Sequence, residues 1–293
     1  MNLLDGKLVS EHYKQKIKTE VAQWVANGNK PPHLAAVIVG NDGASEAYVA
    51  NKVKTCAAVG FNSTLIRLPA DTTQAHLNDT IDSLNNNKDI DGFIVQMPLP
   101  PHLDSISVTE RIKPSKDVDG FHPINMGRMM LSQPCYLPAT PKGILLLLEY
   151  YKIETKGKHC VVIGRSNIVG SPMTMLMSRK ANPGNATVTI CHSGTSNLKH
   201  FTLQADILIA ALGQAEFVKE DMVKPGAVVI DVGITRVEDN TNARGYRLAG
   251  DVAFNEVAPL SSYITPVPGG VGLMTVVGLL LNTLAAAKKE VYN

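Results

Sequence analysis

One regularity constrains the fold of this chain more than any other. Short apolar runs of strand length alternate with longer stretches whose apolar residues recur at helical spacing. AAVIVG (35–40) is followed by SEAYVANKVKTCAAVG (45–60), STLIRL (63–68) by TQAHLNDTIDSLNNN (73–87), and DGFIVQMPLP (91–100) ends the series in a proline-rich turn. A helix over residues 10–27, stopped by Gly28, precedes it. Strands that alternate with helices pair in parallel, because each helix carries the chain back across the sheet. The spacing therefore predicts an α/β fold with parallel sheet.

The alternation is interrupted over residues 98–141, where prolines and polar residues dominate, and resumes with GILLLLEYYK (143–152). That interruption is the expected hinge between two α/β units. Beyond it, KHCVVIG, ATVTICHS (186–193), ADILIAAL (205–212), AVVIDVGI (227–234) and RLAGDV (247–252) read as strands, and residues 271–289 as a closing helix after the break ITPVPGG. The apolar run 271–281 stops at Asn282, short of the ~20 residues that span a bilayer. MNLLDGKLVSEHYKQ has no basic segment leading into an apolar core, so no signal peptide is read there. The four cysteines (56, 135, 160, 191) form no Cys-x-x-Cys pair or metal-spaced cluster with histidine. They predict reduced thiols in a cytoplasmic protein, with no metal. A net charge of +2 implies no strong field and says little about charged partners; no nucleic-acid or membrane partner is expected.

VVIGRSNIVGSP (161–172) joins a β-branched strand to a glycine turn and a helix start with proline in its first turn. Such a junction offers free backbone amides and the positive end of a helix dipole, a cradle for phosphate. The turn runs Gly164, Arg165, Ser166 to Gly170, with serine at the middle glycine of the dinucleotide fingerprint, so a plain tight turn stays open as the alternative. The following strand ends Ile190-Cys191-His192-Ser193, without the acid that would hold an NAD ribose. Arg165 is suited to a 2′-phosphate, which favours NADP. Ser45, Tyr48 and Lys52 share one helix face at three- and four-residue spacing. A short-chain dehydrogenase would carry its Tyr-x-x-x-Lys after the glycine turn, whereas this pair lies more than a hundred residues before Gly164. Ser45 reads equally as a helix cap, Tyr48 as a packing residue and Lys52 as a solvated amine. Gln96 is an uncharged amide in an apolar strand, where it needs a partner.

Taken with KDVDGFHPIN, TPKG, GDVAF and TPVPGGVGLMT, these segments resemble, in order and over essentially the whole length, the bifunctional methylenetetrahydrofolate dehydrogenase/methenyltetrahydrofolate cyclohydrolase family. The resemblance implies two α/β domains flanking a cleft: residues 1–140 plus 270–293 as folate-binding catalytic domain, and 141–269 as a Rossmann-like NADP-binding domain. It implies catalysis by Lys52 with Tyr48 and Gln96, and folate binding by Ser45, Tyr48, Asp119, Pro268, Gly269, Gly270 and Gly272. NADP would be held by Gly164, Arg165, Ser166, Ile168, Gly170, His192, Ser193 and Ile234. Asp117 is read as a turn residue rather than a catalyst. The implied reactions are NADP-dependent oxidation of 5,10-methylenetetrahydrofolate and hydrolysis of the methenyl product to 10-formyltetrahydrofolate. The implied assembly is a homodimer, with AVVIDVGI and its neighbours as the expected contact.

The chain departs from the family pattern at three places. Ala139 stands where Cys is usual before Thr-Pro-Lys-Gly, Leu273 where a proline follows the last glycine, and Gly43 where proline precedes Ala-Ser. Loss of that second proline predicts a looser turn at 268–273.

Overall fold

The computed structural model describes residues 1–40, 43–242 and 245–292, and for residues 43–48 the backbone only. The chain opens with a short strand, β1 (Asn2–Leu3), and helix α1 (Gly6–Ala26). Next come β2 (His33–Val39), α2 (Gly43–Ala58), β3 (Asn62–Leu68), α3 (Gln74–Asn86), β4 (Gly92–Val95) and two short helices, α4 (Ser105–Arg111) and α5 (Pro123–Met130). Helix α6 (Ala139–Tyr150) leads into β5 (His159–Ile163), α7 (Gly170–Ser178), β6 (Thr187–Cys191), α8 (Leu198–Thr202), β7 (Ile207–Ala210) and β8 (Val228–Asp231). The chain closes with β9 (Thr235–Glu238), β10 (Tyr246–Ala249), α9 (Phe254–Val257), β11 (Tyr263–Ile264) and α10 (Val271–Ala287).

These elements form two compact units. One comprises Met1–Glu11 and Thr140–Thr275, the other His12–Ala139 and Val276–Asn293, so α1 and α10 each contribute residues to both. This division differs from the one expected of the sequence near the end of the chain, where residues 270–275 fall in the first of these units, and at its start. The reason at the start is β1, which pairs in parallel with β11, Asn2 opposite Tyr263 and Leu3 opposite Ile264.

In the second of these units, a three-stranded parallel sheet has the order β3-β2-β4. Every β2 residue after His33 is buried, as a central strand covered on both faces requires. Helix α3 starts at the cap Thr73, whose side chain accepts the His76 N–H. It buries Leu77, Ile81 and Leu84, a four- and three-residue spacing, against Val37, Phe93 and Val95. Each such aliphatic side chain contributes about 1.5–3 kcal/mol by leaving water. The proline-rich stretch 98–141 is not a bare linker. It contains α4, capped by Asp104 (Oδ1 accepts from Ile106 and Ser107 N–H), and α5, capped by His122 with Pro123 in its first turn.

The other unit holds a six-stranded sheet, β1-β11-β8-β7-β5-β6, parallel throughout. Its core packs Val161, Ile163, Leu208, Val229 and Ile264 with Val252 and Val257. Two strand readings gain detail here. Residues 246–249 pair antiparallel with Thr235–Glu238 in a separate hairpin instead of joining the large sheet. Strand β8 is interior, hydrogen-bonded to β7 and β11 and buried along its length, so its own backbone offers no edge for docking.

Candidate active site

Lys52 lies on α2, 4% exposed. Its Nζ donates to Gln96 Oε1 at 3.2 Å. Gln96 follows β4 directly, its backbone N–H still bonded to Val37 in the central strand, and its Nε2 donates to the Met97 carbonyl at 2.7 Å. The amide that looked misplaced in an apolar strand thus sits at the strand's carboxyl end, where ligands of parallel sheets bind. Beyond β4, Phe93 donates its N–H to the Lys116 carbonyl at 3.0 Å, and Val118 packs against Gly92. This lateral strand segment brings Asp119 to the same end, within electrostatic reach of Lys52.

The electrostatics follow from burial. Loss of hydration pushes the Lys52 amine below its ordinary value, opposed by Asp119 and, weakly, by Cys56 one turn further along α2. Burial raises the Asp119 carboxyl, opposed by the pull of Lys52. Burial also drives the Cys56 thiol up to about 12, which leaves it an inert packing group. A dry amine held by a neutral amide and facing one carboxylate, its pKa lowered by burial, is equipped to take and return a proton.

In the other unit, β5 is followed by Gly164, which adopts φ +121°, and α7 begins at Gly170. A Cβ on Gly164 would lie 2.1 Å from the Ala211 carbonyl oxygen, and one on Gly170 would lie 2.2 Å from the Gly164 carbonyl oxygen. Only glycine lets turn, helix and neighbouring strand approach this closely. Arg165, Ser166 and Ile168 are exposed on the turn. Ser166 does more than replace a glycine: its Oγ accepts the N–H groups of Val169 (3.2 Å) and Gly170 (3.3 Å) and so organises the helix start. His192 and Ser193 follow β6 at the same carboxyl edge. The His192 Nδ1 accepts the Gly194 N–H at 3.1 Å, which holds the imidazole as a loop-shaping group.

Ile234, 55% exposed, approaches Gly272, whose added Cβ would stand 2.9 Å from Ile234 Cδ1. Pro268, Gly269, Gly270 and Gly272 belong to this unit, whereas Lys52, Gln96 and Asp119 belong to the other. The turn is tied by the Leu273 N–H, which bonds the Gly270 carbonyl at 3.3 Å, a bond that proline at 273 would lack. Ala139 is buried and its backbone packs against Gly278. The side chains of Ser45 and Tyr48 lie outside the described residues; the helix that carries them starts at Gly43, ahead of Ser45.

Two residues escape sequence reasoning. Asp251, fully buried, accepts N–H bonds from Leu212 (2.6 Å), Gly213 (3.0 Å) and Gln214 (2.8 Å), shaping the loop after β7 beside Gly164. Asp231 in turn accepts from Gly233, Asp251 and Val252. Burial pushes its carboxyl up to about 7 against the pull of these N–H groups. The signal was an acid in each of two apolar runs, VVID and AGDV. Among the described residues no group of His, Cys, Asp and Glu is placed to hold a metal.

The sequence pattern of "Tetrahydrofolate dehydrogenase/cyclohydrolase, catalytic domain" matches residues 4–119, and that of "Tetrahydrofolate dehydrogenase/cyclohydrolase, NAD(P)-binding domain" matches residues 138–291. The chain belongs to the tetrahydrofolate dehydrogenase/cyclohydrolase family. Relatives within it include the bifunctional protein FolD of Cytophaga hutchinsonii, 62% identical over 98% of this chain and 99% of that protein. The FolD protein of Bacteroides thetaiotaomicron is 60% identical over the full length of both. Among solved structures, the bifunctional FolD methylenetetrahydrofolate dehydrogenase/cyclohydrolase of Campylobacter jejuni superposes with a TM-score of 0.92 at 44% identity, covering 99% of each chain. The Trypanosoma brucei FolD complexed with NADP and an inhibitor gives 0.92 at 38% identity, over 99% of this chain and 98% of that one. The tetrahydrofolate dehydrogenase/cyclohydrolase fold thus accounts for both units of the chain.

Proposed function

We infer that this protein is a bifunctional one-carbon folate enzyme. It oxidises 5,10-methylenetetrahydrofolate to 5,10-methenyltetrahydrofolate with NADP and hydrolyses the product to 10-formyltetrahydrofolate. The observation that carries the reading is the buried Lys52 amine, bonded to Gln96 and facing Asp119 at the carboxyl end of a parallel sheet.

The glycine turn suits NADP: the space that side chains at Gly164 and Gly170 would fill stays closed by backbone alone, and the exposed Arg165 offers a guanidinium for the 2′-phosphate. Gly164 to Gly170, with His192, Ser193 and Ile234, would hold the dinucleotide, which supplies the acceptor for the hydride that leaves the folate's methylene carbon. For that step the protein has only to align the reacting carbons. Asp119 accepts hydrogen bonds from the amidine edge of the pterin, and Tyr48 flanks the ring with Ser45 beside it. The methenyl product is a cationic amidine. Water adds to its methenyl carbon, and Lys52, as a neutral amine, takes the proton that water loses. The ring C–N bond then breaks as the hydroxyl on that carbon loses its proton to solvent and becomes the formyl carbonyl, and the Lys52 ammonium returns its proton to the departing nitrogen. Gln96 fixes the amine for both transfers. The roles of the two units follow: the one bearing Lys52 handles the folate carbon, the one bearing Gly164 the dinucleotide.

Four cysteines, none of them in a disulfide among the described residues, fit a reducing, cytoplasmic setting. A homodimer is part of the same reading, and β6, an outer strand of the six-stranded sheet with Ile190 36% exposed, is an edge open to a second copy.

The test is a paired assay of the purified protein. Methylenetetrahydrofolate with NADP should give methenyl product faster than with NAD, and methenyltetrahydrofolate alone should disappear faster than in buffer. Lys52→Met should abolish the second activity and still bind NADP; Arg165→Ala should raise the KM for NADP and spare that for folate. Unaltered hydrolysis in Lys52→Met would refute the role of the amine.

A further inference from the structure

Asp117 precedes the proposed folate carboxylate by two residues and is 2% exposed. The chain wraps around it. Its Oδ1 accepts from Gly120 N–H (3.1 Å) and Phe121 N–H (3.2 Å), and its Oδ2 from His122 N–H (2.8 Å) and Asn125 Nδ2 (2.8 Å). Asn125 is fully buried and uses its whole hydrogen-bonding capacity. Besides Asp117, its Nδ2 donates to the Pro114 carbonyl (3.1 Å), while its Oδ1 accepts from Tyr136 N–H (3.3 Å) and the Tyr292 hydroxyl (2.6 Å).

Tyr292 comes after α10, far along the sequence from this loop. Its ring lies against Tyr136 at 5.6 Å between centroids, with the Arg128 guanidinium 4.5 Å from its own centroid. A second tie comes from α10 itself: Asn282 Nδ2 donates to the carbonyls of Val118 and Leu137, each at 2.8 Å. The Asp119 carbonyl accepts the Ala139 N–H at 3.2 Å. The backbone on both sides of Asp119 is thus fixed, while no hydrogen bond to its carboxylate is formed among the described residues with described side chains. The network has the geometry of a clamp that aims one carboxylate.

We propose that Tyr292 and Asn125 are positioning residues for the folate: through Asp117 they set the 117–122 turn, and with it the direction of the Asp119 carboxylate. The proposal rests on the reading of Asp119 as the group that holds the pterin. A buried, saturated amide transmits displacement because it has no spare partner. If Tyr292 releases Oδ1, Asn125 is free to tilt about its remaining bonds, and the Asp117 carboxylate and its three backbone N–H groups move with it.

Tyr292→Phe tests this with the smallest change, since the ring, the Tyr136 contact and the Arg128 contact remain. The KM for methylenetetrahydrofolate should rise about three- to tenfold, the scale of one hydrogen bond to a buried group, with the KM for NADP and kcat within about twofold. Asp119→Asn alone should raise the folate KM by more. In the Asp119→Asn background, Tyr292→Phe should have no further effect on that KM, because the hydroxyl acts through the carboxylate that is gone. A folate KM unchanged by Tyr292→Phe overturns the proposal, whatever happens to the melting temperature. So do equal rises for folate and NADP, or additive effects in the double variant. An Asp119→Asn enzyme with unchanged folate KM contradicts the pterin assignment instead, and that single variant identifies which of the two statements has failed.

Discussion

Gly170→Ala is the change whose cost the coordinates define best. An added Cβ would stand 2.2 Å from the Gly164 carbonyl oxygen, 2.5 Å from its carbonyl carbon and 2.9 Å from Arg165 N. Real contacts of this kind are rarely closer than 3.4 Å, so helix and turn must part by about 1 Å. All three atoms are backbone, and no flexible side chain can yield in their place. Overpacking of this kind costs about 1–3 kcal/mol, read as a melting temperature lower by about 2–10 °C. The effect on binding should be larger than the effect on stability. The amides of Val169 and Gly170, which Ser166 Oγ now orients, belong to the segment that must move. A 1 Å misplacement of positioning groups costs up to about a hundredfold. The assay is dehydrogenase kinetics with NADP varied at saturating folate, beside cyclohydrolase turnover without NADP. The KM for NADP should rise by at least tenfold while cyclohydrolase activity stays within about twofold, since Lys52, Gln96 and Asp119 belong to the other unit. An NADP KM within twofold of wild type would refute the assignment of this turn as the phosphate cradle.

Two further outcomes follow from Lys52. Gln96→Glu places a carboxylate where a neutral amide now accepts the Lys52 N–H; it should raise the amine's pKa and shift the acid limb of the cyclohydrolase pH profile upward, and an unmoved limb would count against Lys52 as the titrating group. Lys52→Met removes the amine that faces Asp119, and its stability relative to wild type reads out the Lys52 titration. The sign with pH is fixed: burial lowers the folded amine below its ordinary 10.5, so the unfolded chain binds the proton more tightly and wild-type stability rises as pH climbs from the folded value to 10.5. The stability of Lys52→Met relative to wild type in denaturant titrations should therefore fall over that window, and a relative stability that rose with pH would contradict the burial.

How much of this was legible in the residues depended on distance along the chain. The alternation of strands and helices, the glycine turn and the Lys52 helix are local patterns, and they appear within a few residues of the expected positions. The amide of Gln96 announced its need for a partner, and Lys52, 44 residues away, supplies it. Non-local pairings were opaque. Nothing in Asn2–Leu3 advertises a sheet strand, because two residues carry no period; the partner is Tyr263–Ile264. Strand Tyr246–Ala249 has the composition of a sheet strand, and only its register with Thr235–Glu238 reveals a hairpin. Asp231, Asp251 and Asn125 were hidden for a related reason: each serves backbone groups of other loops, and the recipients leave no mark in the side-chain pattern.

The pairing of β1 with β11 has a consequence for biosynthesis. Strand β1 leaves the ribosome before the other strands of its sheet, and its hydrogen-bonding partner is made about 260 residues later, roughly 13–52 s at ordinary elongation rates of about 5–20 residues per second. Through that interval β1 lacks the strand it pairs with, although residues 12–139 emerge within it. An amino-terminal fusion that anchors those first residues elsewhere would prolong the delay, making the nascent β11 edge a point of vulnerability to aggregation during translation.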